Sequence, residues 1–428
     1  MAPERARRRH RRRHGIAARR RRGLAAVRAR VRLLRRLSAG RQRRLLHAVL
    51  DRVDVRPPRA RARIPPDRPL RTRGLRVSAG PKALTERGFG ALVLAFAIAA
   101  PWLVSSYWLD AILIQTLIFG IAAASLIFLS AYGGMISLAQ TALVGIAAYL
   151  LGNMVTARVP GGETKGLTLG WDPTVGLVLA VVVTTVIGLL FGALAARSLG
   201  IYFLMLTLTC GVIANLFFGS VTQFGGFSPI AGVNRYTPGF IGDMVNDRTR
   251  LYFIALIVAV AVYLLIRFVL RTPFGLVLQG IRDEPVRMSS LGYNVALHRT
   301  LAFGLAAFIA AVAGILLVWW QGQVAPGDLG LPATIQLLVM AVIGGLRRVE
   351  GAWLGAFMVI VIDNQVTNNI PSSGLPVIGG SFNTIVGAIF LAIVVVSPDG
   401  LLGIWERVWA TVRGNRGGKV AMARGSSL

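Results

Sequence analysis

The densest cluster of chemically capable side chains lies in Arg271–Arg299, RTPFGLVLQGIRDEPVRMSSLGYNVALHR. Arg271, Arg282, Asp283, Glu284, Arg287 and Arg299 stand there between long apolar runs. Guanidinium and carboxylate groups so placed can make charge-assisted bonds across an interface. A helical protein of the bilayer has to put such a segment in water or against another protein. The functional reading is a docking surface for a soluble partner; the alternative is an ordinary connecting loop.

A second set of groups is neutral and sits inside apolar sequence: Ser137, Gln140 and Thr141 after the pair Gly133-Gly134, then Thr207, Thr209 and Asn215. Such groups can line a path and hydrogen-bond weakly to a passing solute, or they can hold helices together. The Gly133-Gly134 break is the best candidate for the path, because non-helical backbone at membrane depth lines cavities. Gly133, Gly134, Ser137, Gln140, Thr207 and Asn215 are therefore the candidate translocation residues. Other chemistry is missing. His10, His14 and His47 fall in the first 88 residues and His298 stands alone, so no metal set can be assembled. There is no G-x-x-x-x-G-K-[ST] loop for ATP. Cys210 is the single cysteine. Asp363 is the one candidate for a buried coupling carboxylate, and its place near a span end favours solvation.

The elements that position these groups follow from composition. Of the 428 residues, 54% are hydrophobic and 15% charged, against roughly 25% charged in soluble domains. The fold class is all-α, a polytopic membrane protein. Apolar runs extend over Gly88–Leu109, Ala111–Ala157 (two spans meeting near Tyr132-Gly133-Gly134), Pro173–Ala196, Ser198–Asn234, Leu251–Leu270, Thr300–Trp320, Leu331–Leu346, Gly351–Ile362 and Phe382–Val396. At about 20 residues per span this predicts about ten transmembrane helices. Between them, Thr272-Pro273 reads as a helix start, Pro285 as an interruption, and Leu291-Gly292-Tyr293-Asn294 as a stop.

The net charge of +31 is concentrated at one end: residues 1–88 hold 30 Lys and Arg against 5 Asp and Glu, and the rest of the chain 18 against 12. The reading is an Arg-rich tail, 1–88, that is disordered or surface-bound. Leu24, Val27, Val31 and Leu34, then Leu45, Leu46, Val49, Leu50 and Val53, recur at helical spacing. They suit attachment to anionic lipid of the inner leaflet; no specific nucleic acid is expected. A misassigned start is the competing account. With the tail inside and ten alternating spans, both termini are cytoplasmic. Arg197, the Arg271–Arg299 segment, Arg347-Arg348 and the basic C-terminal tail 405–428 then also fall inside, as the positive-inside rule requires. The chain divides into tail 1–88, membrane domain 89–404 carrying loop 271–299, and tail 405–428.

Five blocks resemble signatures of ABC importer permeases for branched-chain amino acids: Tyr132–Gln140 (YGGMISLAQ) followed by Gly145–Tyr149 (GIAAY); Arg197–Leu208 (RSLGIYFLMLTL); Thr272–Gly275 running into Gly280–Glu284 and Leu291–Asn294; Val342–Gly345; and Ser397–Leu401. They stand in the family's order over residues 110–404. The resemblance implies a plasma-membrane, multi-pass subunit with no catalytic residue, metal or cofactor of its own. Its partners would be a second permease, cytoplasmic ATP-binding subunits and an extracytoplasmic solute-binding protein. Pro273, Phe274, Gly275, Arg282, Asp283, Glu284 and Arg287 would then form the ATPase-coupling element. Branched-chain amino acids are the expected solutes, with urea, short amides or other amino acids as alternatives. Two features depart from the family: Arg347-Arg348-Val349-Glu350 after Gly344-Gly345, and the basic tail. A stand-alone channel or carrier regulated by that tail is the competing function.

Overall fold

The computed structural model describes residues 97–156, 166–198, 200–239 and 247–369, together with Ala95, Gly242, Gly387 and Gly400. The tail 1–88, the span Phe382–Val396 apart from Gly387, and the C-terminal tail lie outside the described residues.

The fold is helical. Helix α1 covers Ser106–Gly133, α2 Gln140–Val155, α3 Pro173–Ala195, α4 Ile201–Ser220 and α5 Arg248–Arg271. Two short helices, α6 (Pro273–Asp283) and α7 (Pro285–Ser290), lead into α8 (Val295–Gln321), α9 (Leu331–Gly344) and α10 (Gly351–Asn369). Among the described residues one ladder of two residues per strand pairs β1 (Ile230–Ala231) with β2 (Gln323–Val324), antiparallel. Among the described residues, α1, α3, α4, α5 and α8 are long and apolar enough to cross a membrane, and α2, α9 and the first part of α10 are shorter apolar helices.

α1, α2 and α8 form the centre, and α8 packs on α3, α2 and α1. Their contact faces are built from small residues, among them Ala122, Ala123, Ala306, Ala307 and Ala310, all buried. Lipid tails are as apolar as leucine, so helices in a bilayer gain from close approach rather than from hiding large side chains. Gly314 of α8 lies against the Val144 carbonyl of α2, and Gly355 of α10 against the Met340 carbonyl of α9; a Cβ at either position would collide with backbone. The outer helices show the converse. Val178, Val182, Val186, Leu190 and Leu194 make an exposed apolar stripe on α3, a face that only lipid or another apolar helix can cover.

One boundary differs from the sequence expectation. Asp110 looks like the divider between the first two spans. The chain instead leaves its helical course at Val104-Ser105, and Asp110 sits inside α1, in a π turn over Leu109–Ile114. A lone carboxylate near a helix end can be kept within the helix where a cation and an indole N–H reach it, and both do here.

Candidate functional site

Three places carry chemistry. The first is the elbow between α5 and α8. Thr272 caps α6, its hydroxyl accepting from the Gly275 N–H, and Pro273 takes the first helical position, where its missing N–H costs nothing. Gly275 lies against the Val269 carbonyl and Leu270, so any side chain there would push α6 off the end of α5. Leu278 and Ile281 are fully buried beneath α6. Phe274 stacks on the His298 ring, centroids 5.8 Å apart. The opposite surface presents Pro273, Arg282, Asp283, Glu284 and Arg287 to solvent, interleaved with exposed Leu276, Val286 and Leu291. Charges around exposed apolar side chains are the make-up of a protein-binding patch.

The second place is the break between α1 and α2. Gly134 takes the left-handed conformation, φ +65°, and the Met135 N–H turns back to the Leu129 carbonyl at 3.1 Å, which closes the helix in the manner of a glycine C-cap. Ser137, Gln140 and Thr207 are fully buried around it. Ser137 Oγ accepts from the Ala139 N–H at 3.2 Å, and Thr207 Oγ1 accepts from the Leu138 N–H at 3.2 Å. Gln140 Oε1 accepts from the Ser125 hydroxyl at 3.1 Å, while Gln140 Nε2 has no partner among the described residues. Gly133, Gly134, Ser137, Gln140 and Thr207 are thus brought together. Asn215 is not with them: it lies further along α4 and donates to the Pro326 carbonyl at 2.8 Å. The elbow reaches this break directly, because the Arg282 guanidinium donates to the Ala131 carbonyl.

The third place is at the far end of the bundle. α5 runs from Arg248 to the elbow at Arg271, roughly 36 Å at 1.5 Å per residue. Beside Arg248 a cavity of about 340 Å³ is walled by Asp110, Trp320, Gln321, Gln323 and Asp328. Trp320 Nε1 donates to Asp110 at 3.2 Å, and Arg248 donates to the Trp320 carbonyl at 3.1 Å and stands 3.7 Å from Asp110. Asp328 accepts from the Ala325 N–H at 2.9 Å; burial holds its carboxyl above the usual carboxylate range. Both signs of charge face one space. In the sequence nothing joins this trio: Asp110 stands between two apolar runs, Arg248 just before the run Leu251–Leu270 and Asp328 between two others. The available signal was that Asp110 is the lone charge between Gly88 and Ala157.

The unusual turn Arg347–Glu350 also has a place. Glu350 accepts from the Tyr263 hydroxyl at 2.9 Å and pairs with Arg267 at 3.2 Å, which ties the start of α10 to α5.

Residues 108–398, more than half the chain, match the family described as branched-chain amino acid transport system / permease component. The chain belongs to that family. It is a multi-pass membrane transport subunit and not an enzyme. LivM of Escherichia coli, a high-affinity branched-chain amino acid transport system permease protein, is 24% identical over 368 residues, 78% of this chain and 81% of LivM. A probable LivH of Methanocaldococcus jannaschii is 28% identical over 161 residues, 36% of this chain and 48% of that protein, so the permease aligns with about half of its length. BraD of Pseudomonas aeruginosa is 28% identical over 137 residues, 32% of this chain and 42% of BraD. No solved structure matches the permease.

Proposed function

We propose that this permease is the membrane-spanning subunit of an ABC importer for branched-chain amino acids, driven through its elbow by a separate ATP-binding subunit. A second permease completes the path and an extracytoplasmic binding protein delivers the solute, the assembly that the resemblance to ABC importer permeases implies. Ten helices put both termini and the elbow in the cytoplasm, with 1–88 and 405–428 as basic tails on either side of membrane domain 89–404. The ATPase docks on Pro273, Phe274, Gly275, Arg282, Asp283, Glu284 and Arg287. The solute passes Gly133, Gly134, Ser137, Gln140, Thr207 and Asn215.

The observation that carries this reading is the bond from Arg282 to Ala131. One side chain belongs both to the exposed docking face and to the helix end at Gly134, so a push on α6 is delivered to the break. The cavity at Asp110, Arg248 and Asp328 supports the solute class. A zwitterion needs an anion for its ammonium and a cation for its carboxylate, and urea needs neither.

The test is ATP-dependent leucine uptake into proteoliposomes holding this chain, its partner permease, the ATPase and the binding protein. The expected result is uptake that requires ATP and is outcompeted by isoleucine and valine but not by urea. Uphill uptake by this chain alone overturns the reading.

A further inference from the structure

A cavity of about 230 Å³ opens beside the break, on the elbow side, against Gly134, Met135, Ser198, Gly200, Ile201 and Arg299. Arg299 lies one turn into α8 and is only 7% exposed. Its Nε has no hydrogen-bond partner among the described residues, and among them no carboxylate pairs with it. A buried guanidinium without a counter-charge is costly, so proteins supply it with an anion. The same cavity receives the start of α4. Gly200 caps that 20-residue helix at φ +59° with no side-chain hydrogen bond. Its first-turn N–H groups are therefore left without a side-chain cap, and the helix dipole adds partial positive charge at that end.

The character of the ligand follows from what surrounds these donors. Among the described residues no Asp or Glu lines the cavity, so the ammonium of a zwitterion finds no partner among them, in contrast to the cavity at Asp110. A pure oxyanion suits the site. The walls next to the donors are apolar, and Ile201 and Met205, 72% and 62% exposed, lie one turn apart on one outward face of α4. An oxyanion carried on a hydrocarbon chain satisfies both halves at once. We infer that Arg299 and the N-terminus of α4 bind the phosphate of an anionic phospholipid in the leaflet nearest the elbow, with its acyl chain along Ile201 and Met205. Because this lipid lies against Gly134, its headgroup is placed to restrain the break that Arg282 touches from the other side. The assignment does not depend on the solute.

The probe is phosphatidylglycerol against phosphatidylcholine, with inorganic phosphate as the lipid-free oxyanion. Native mass spectrometry of the full chain, released from nanodiscs of mixed phosphatidylglycerol and phosphatidylcholine, is expected to show a retained phosphatidylglycerol. Retention should fall roughly tenfold in Arg299→Gln, as loss of a charge-assisted contact predicts, and recover in part in Arg299→Lys. Equal retention in wild type and Arg299→Gln overturns the site. Should Arg299→Gln not fold, photoactivatable phosphatidylglycerol on the wild-type chain decides: labelling of the peptide holding Ile201–Met205, uncompeted by phosphate, supports the lipid. Labelling elsewhere only, or equal labelling by phosphatidylcholine, overturns it. Full competition by inorganic phosphate overturns the lipid as the source.

Discussion

Arg282 and Gly134 are fitted to one another: a Cβ built on Gly134 would stand 2.7 Å from Arg282 Cγ. The elbow side chain therefore lies over the glycine that ends α1, while its guanidinium binds the carbonyl of Ala131 in the preceding turn. The exposed elbow and the helix break meet at this point with no intervening element.

Gly134→Ala should do harm in two ways. Alanine in the left-handed region costs about 1–2 kcal/mol, and its methyl displaces Arg282. The expected result is a lower melting temperature together with impaired uptake. Arg282→Gln removes the bond to Ala131 but leaves Gly134 relaxed. Arg282 is 38% exposed, so the loss of stability should be about 1 kcal/mol or less, whereas ATP-driven uptake should fall roughly tenfold or more. Unchanged uptake with Arg282→Gln would remove the linkage.

Asp283→Arg combined with Glu284→Arg reverses the charge of exposed groups on the elbow, the face proposed to meet the ATPase. Insertion and melting temperature should stay as in wild type, while ATP hydrolysis and leucine uptake become uncoupled in the reconstituted assembly. Normal uptake by this double variant would show that the ATPase docks elsewhere.

Asp328 gives a pH signature. Burial raises its carboxyl in the folded protein, so its contribution favours folding below the unfolded carboxylate value and is lost as pH rises through the raised folded value. Asp328→Asn should therefore melt higher than wild type at neutral pH, and the gap should close as the solution is acidified. If Asp328 also receives the solute's ammonium, the same variant loses uptake at neutral pH. A melting difference independent of pH would contradict the titration.

Gly314→Leu and Gly355→Leu test the packing rule. Each side chain would meet a backbone carbonyl of the neighbouring helix, which cannot yield as a side chain does. Both variants should be destabilised by several kcal/mol, in keeping with severe overpacking, and should show as reduced abundance in the membrane. Val182→Leu, on the exposed stripe of α3, should have no such effect.

Much of the local architecture was legible in the residues. Pro273 and Pro285 set the starts of α6 and α7, and Gly133-Gly134 set the end of α1, because proline and glycine act through their own backbone geometry. The membrane class followed from the length and charge poverty of the apolar runs. The break residues Ser137 and Gln140 could be picked out for the same reason: they are polar where their neighbours are not.

The tertiary structure alone decided which distant groups meet. Asp110 and Arg248 are 138 positions apart in numbering and share one cavity. Arg282 finds Ala131 from 151 positions further along the chain, and Arg299 is buried with no carboxylate paired to it among the described residues. Periodicity records which face of a helix is apolar, but these helices are apolar on nearly every face, so the pattern carries little about neighbours. Helix order and contact are fixed instead by where a backbone can come close, and that depends on pairs of small residues whose pairing a linear sequence does not display.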